Sequence, residues 1–201
     1  MPNWCDNSLE VKGSPRELAK MVRDVEITAS EATSTHDKSL FSCQRIIPRP
    51  VDKDTDWYDW NVNNWGSKWD TSNPYRGVEE GDKVVYYSFQ TAWSPIVPVI
   101  TALAKKYPKL EFLYQYSETG SDFWGEHTFE KGEETSVEGG SFSDASCEKQ
   151  QELIGDHHYC PDCGNEIPCE KEHTSLYCED CEEERNNEDS KLWEGEVSEV
   201  S

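Results

Sequence analysis

The stretch from Trp60 to Pro95 limits what this chain can fold into more than any other. W-N-V-N-N-W-G-S-K-W-D (60–70) is a tryptophan- and asparagine-rich segment without a period, and after a polar interval it leads into K-V-V-Y-Y-S-F-Q-T-A-W-S-P (83–95). Val85, Tyr87 and Phe89 alternate with Val84, Tyr86 and Ser88 over Val84 to Trp93, the period of a strand with a covered face. Ser94-Pro95 then begins a helix with Ile96, Ile100, Leu103 and Tyr107 on one stripe, Pro98 being tolerable only in its first turn. Pro108 ends that helix.

The flanking segments repeat the logic. Cys5, Asn7, Leu9 and Val11 alternate with polar residues as a strand that Gly13 closes, and Ser14-Pro15-Arg16-Glu17 reads as a capped helix start. Leu18, Met21, Val22 and Val25 give that helix one apolar face. Leu40 to Ile47 reads as a second strand stopped by Pro48 and Pro50, and the next thirty or so residues read as a long decorated connection. Leu110, Phe112, Tyr114 and Tyr116 alternate as a further strand, with Phe123, Gly125, His127 and Phe129 as its hairpin partner. The order β-α-β, long loop, β-α-β-β is a ferredoxin-like split βαβ sandwich, α+β in class, with an extra strand and two helices on one sheet face.

These residues carry a resemblance. M-P-N-W-C-x-N at the start, N-W-G-S-K-W-D (64–70), F-Q-T-A-W-S-P (89–95) and the stretch from K-Y-P-x-L-E-F (106–112) to D-F-W-G-E (122–126) are similar to the YubB ferredoxin-like domain of phages and conjugative plasmids. The resemblance covers about residues 1–132. It implies the fold and a mobile-element origin, and supplies no catalytic residue to carry over.

Charge divides the chain. Residues 1–132 hold 20 Asp and Glu against 15 Lys and Arg, whereas residues 133–201 hold 21 against 4 and account for most of the net −22. Seven of eight tryptophans lie in the first part, so the core belongs there and the remainder is mostly solvated. The reading is a ferredoxin-like domain over 1–132, an acidic flexible linker over 133–156 ending in a short helical turn around Glu148 to Ile154, a zinc-ribbon-like module over 157–184 and an acidic tail over 185–201. No basic region followed by an apolar one opens the chain, and nothing approaches the roughly 20 apolar residues of a membrane span, so a soluble cytoplasmic protein is expected.

Cys160-x-x-Cys163-Gly164 and Cys178-x-x-Cys181 are two knuckles separated by fourteen residues. Two thiolates from each tight turn complete a tetrahedral site, for which zinc is expected, with iron in a rubredoxin-like site and a redox or metal-free role as the alternatives. With four protein ligands no position stays open to water, so the ion is structural. Cys169, His173, His157 and His158 read as solvent-facing neighbours, with Cys169 or His173 substituting for one ligand as the sharper alternative, and Cys5, Cys43 and Cys147 read as idle thiols.

Trp60, Asn64, Trp65, Lys68 and Trp69 form the possible binding surface, either a stacking platform or a lid over the open side of a small core. Trp93 and Trp124 read as core. Asp70, Asp122, Glu126 and His127 are the polar candidates for catalysis, but no pair sits in a recognisable motif, and no catalytic residue is assigned. An RNA-binding sheet of this class needs a basic surface and the K/R-G-F/Y-G/A-F-V motif, and this chain has neither. The expected function is a non-enzymatic zinc-binding interaction module gripping a host protein. The alternatives are an anti-defence nucleic-acid mimic acting through its acidic C-terminal third and a nucleic-acid-processing enzyme.

Overall fold

The structure is a computed structural model that describes residues 3–28, 39–52, 56–78, 83–154, 158–159 and 166–167. It divides into two compact units, residues 1–142 and 143–201.

The first unit is built on six strands in the order β2-β3-β1-β4-β5-β6, every neighbour antiparallel. These are β1 (Trp4–Lys12), β2 (Ser72–Val78), β3 (Val84–Ala92), β4 (Glu111–Glu118), β5 (Phe123–Glu130) and β6 (Glu133–Gly140). The order β2-β3-β1-β4 is that of the split βαβ plan, and β5 and β6 extend it beyond β4. The fold is therefore a ferredoxin-like α+β sandwich.

Register puts Leu9, Tyr87 and Tyr114 in one row and Val11, Val85 and Phe112 in the next, all buried. Helices α1 (Pro15–Val25) and α4 (Val97–Lys106) supply Leu18, Met21, Val25, Val99, Ile100 and Leu103 to the same core. Ser14 caps α1, its Oγ accepting from Glu17 N at 3.4 Å. Helix α4 starts at Val97, later than expected, because Ser94 is used elsewhere: its Oγ donates to Gly66 O at 2.8 Å. Its N-cap, Ile96, has no capping side chain, and the Ile96 N–H instead donates to Tyr114 Oη at 3.0 Å. Tyr114 in turn donates to the buried Asn7, whose amide reaches Thr91 Oγ1 at 2.9 Å. A polar network thus closes one end of the core with its members satisfied.

Three expectations fail. Leu40 to Ile47 is not a strand: residues Cys43–Ile46 form the short helix α2, clamped by a distant carboxylate, with Cys43 N donating to Asp70 Oδ1 at 2.6 Å and Ser42 Oγ to Oδ2 at 2.7 Å. The aperiodic connection contains the helix α3 (Trp57–Trp65) and the edge strand β2. The expected linker begins instead with β6, paired to β5 from Glu133 to Gly140, and the buried Phe142 follows it.

In the second unit, α5 (Cys147–Ile154) lies over the expected helical turn, and β7 (His158–Tyr159) pairs antiparallel with β8 (Glu166–Ile167). The expected ligands Cys160, Cys163, Cys178 and Cys181, the alternatives Cys169 and His173, and the expected tail over 185–201 lie outside the described residues.

Candidate functional site

The tryptophan segment splits into an inward and an outward half. Asp56 caps α3, accepting from Tyr58 N at 2.9 Å and Asp59 N at 3.3 Å, and Gly66 ends it at φ 87°. A Cβ on Gly66 would also lie 2.7 Å from Pro95 O, so glycine is required twice. Trp65 turns into the core, where its Nε1 donates to Ile47 O at 2.8 Å, and Trp60 packs edge-on against it at 5.7 Å. Asn64 donates to Trp60 O at 2.8 Å and the buried Asn61 to Lys68 O at 2.8 Å. Trp60, Asn64 and Trp65 therefore belong to a lid over the core.

Lys68 and Trp69 belong to the surface. Ser67 is buried and bonded to the Ala92 backbone, and Asp70 is held at α2, so the chain is pinned on either side of these two. Trp69 lies 6.3 Å from Trp4, both more than a third exposed, and Lys68 Nζ stands 4.7 Å over the Trp69 ring and 5.6 Å from that of Tyr58. Beside Trp4 the open sheet face carries a polar ladder: Gln90 donates to Asp6 at 2.9 Å and Asn73 to Gln90 at 3.3 Å. Exposed rings held rigidly around an ammonium, with a hydrogen-bonding rim, suit an aromatic or apolar partner group. Trp93, expected in the core, is instead half exposed at φ 72° just past β3, and Trp124 is partly buried.

Trp4 is missing from the sequence-derived surface, yet a signal was there. The alternation that sends Cys5, Asn7 and Leu9 inward sends Trp4 outward with Asp6 and Ser8.

The polar candidates do not converge. Asp70 is consumed by the α2 clamp. Asp122 sits in a turn at φ 53° with its carbonyl accepting from Phe142 N. Glu126 and His127 point to opposite faces of β5, Glu126 accepting from Gln115 at 2.8 Å. His127 is buried between Tyr116 and Phe129, with Nδ1 2.7 Å from Glu134 Oε1 and Nε2 3.4 Å from Tyr116 Oη. It lines an open cavity of about 700 Å³ with Ser94, Pro95, Tyr116, Phe123 and Val137. Both its nitrogens are engaged. The idle thiols Cys5 and Cys43 are buried, and burial pushes Cys5 up to about 12 and raises Cys43 as well.

Among the described residues no group of His, Cys, Asp and Glu forms a metal site, and no helix is long and apolar enough to cross a membrane.

No curated protein matches this chain. The chain is similar to the crystal structure of the protein api92 from Yersinia pseudotuberculosis, with a TM-score of 0.52 and 9% identity over 69% of this chain and 98% of that one. At that identity the likeness concerns the fold alone. Residues 64–158 match the family described as the ferredoxin-like domain in Api92-like protein, a stretch that holds five of the six strands, β2 to β6, and leaves out β1.

Proposed function

We propose that this protein is a non-enzymatic interaction module, an accessory protein of a phage or plasmid that grips a host protein through the surface built on Trp4, Lys68 and Trp69. The observation that carries the reading is the pair of exposed, mutually packed tryptophans with an ammonium over one ring. Large aromatics kept at a surface by rigid flanks are the groups on which binding energy concentrates. The scattering of Asp70, Asp122, Glu126 and His127 supports a binding rather than a catalytic role.

The C-terminal module is proposed to hold one structural zinc through Cys160, Cys163, Cys178 and Cys181. The pairing of His158 with Ile167 and of Tyr159 with Glu166 supports this, because two antiparallel strands bracket the segment containing the first knuckle, as a zinc ribbon requires. The test is comparative capture from host lysate with the wild-type chain and a Trp4→Ala, Trp69→Ala variant at matched folded fraction. Loss of the captured band with the variant supports the reading; equal capture overturns it. The second reading, nucleic-acid mimicry, rests on the concentration of acidic charge after residue 132.

A further inference from the structure

The edge of β6 ends the sheet on the side opposite β2. Among the described residues no strand pairs with that edge, and all eight β6 residues are exposed. A long strand that ends a sheet presents unpaired N–H and C=O groups, a template for another strand. The cavity beside His127 opens along the same edge, lined by Pro95, Tyr116 and Phe123 from within and by Val137, Gly139 and Gly140 from β6 itself. The glycines leave its rim as bare backbone: a Cβ on Gly139 would lie 2.8 Å from Trp124 O, and Gly140 has nothing within 4 Å of its Cβ position. On the open sheet face two like-charge pairs stand directly opposite across β5 and β6, Glu126 with Glu138 and Glu130 with Glu133. Such pairs are destabilising in isolation, and cationic side chains alongside them would relieve the repulsion.

We propose that β6 accepts, as a seventh strand, an extended segment of a partner protein with Lys or Arg on one face and apolar side chains on the other. In that pairing the basic row lies beside Glu133 and Glu138, and the apolar row lies beside Val137 and Gly139, where one side chain enters the cavity. Main-chain hydrogen bonds supply affinity and the alternate side chains supply selectivity. A second copy of the chain is the poorer occupant, because its β6 brings three further carboxylates, Glu133, Glu134 and Glu138, and no Lys or Arg to the seam.

The probe is the synthetic heptapeptide lysine-valine-lysine-phenylalanine-lysine-valine-lysine, added to the full chain. One form is N-methylated at every lysine and another at every apolar residue, so each form lacks donors along one edge. The expected result is slowed amide exchange across residues 133–140 on saturation and at least about tenfold weaker binding for one methylated form. Glu138→Lys should weaken the unmodified peptide as well. Three results would overturn the proposal: equal binding of all three forms, which is charge attraction alone; exchange over 133–140 that does not change at saturation; or a dimer in sedimentation whose β6 is already protected without peptide, which gives the edge to a second copy.

Discussion

Tryptophans close together in sequence serve opposite purposes here, and substitution separates them. Trp65 is 3% exposed and hydrogen-bonded to Ile47 O, so Trp65→Ala should destabilise the first unit by about 3–5 kcal/mol through the cavity and the orphaned carbonyl. Trp69, 39% exposed, should cost about 1 kcal/mol on Trp69→Ala, for its ring contacts with Trp4 and Lys68, while losing partner binding. Thermal melts beside a binding assay check both, and a binding defect in Trp65→Ala at matched folded fraction would contradict the division. Asp24 gives a pH test at the same scale. The hydrogen bond from Tyr107 and the ion pair with Lys106 at 2.9 Å hold its carboxyl below the ordinary value. A depressed folded pKa contributes stability that is complete above the unfolded value, about 3.9, and is lost as pH falls through the lower folded value. Wild type should therefore lose stability relative to Asp24→Asn as pH drops from about 5 to 2, and parallel pH curves would refute the assignment.

Strands and helices with a covered face were legible, because alternation and the i, i+3, i+4, i+7 stripe follow directly from burial. β1, β3, β4, β5, α1 and α4 all show this. What failed was held by contacts outside the local pattern. Helix α2 exists because Asp70, some twenty-five residues away, takes its N-terminal donors, and β6 has no buried side chain to betray it. The aromatic surface was half legible for the same reason: Lys68 and Trp69 share a motif with the lid, whereas Trp4 joins them only through the fold. The quoted motifs are largely architectural, since Asn7 and Thr91 close the core network and Ser94 braces Gly66. β6 makes the element-scale prediction: residues 1–142 should melt cooperatively, and a chain ending at 132 should melt at lower temperature, because it loses the partner of β5, the buried Phe142 and the Glu134 bond to His127. Equal melting of the two fragments would show that β6 is dispensable.

At the scale of the whole molecule, charge separates the two ends, and the proposed zinc belongs to one of them. Elemental analysis should find one zinc per chain, lost in Cys178→Ser, and chelation should leave the melt of residues 1–142 unchanged, because the four proposed ligands all lie beyond residue 142. Metal-free wild-type protein would overturn the site. Salt then decides between the two readings of function. If residues 133–201 imitate a nucleic acid at a basic host site, binding should fall steeply between about 50 and 200 mM salt, because exposed charges are screened beyond about 8 to 10 Å, and neutralising Glu182, Glu183 and Glu184 should weaken it similarly. A partner held by Trp4 and Trp69 should respond little to salt, because desolvated aromatic anchors carry the contact, and it should still bind a chain cut after residue 156. Capture that survives both Trp69→Ala and the cut, at high salt, would reject the tryptophan surface and the acidic residues beyond 156 together and leave the β6 edge as the surface in use.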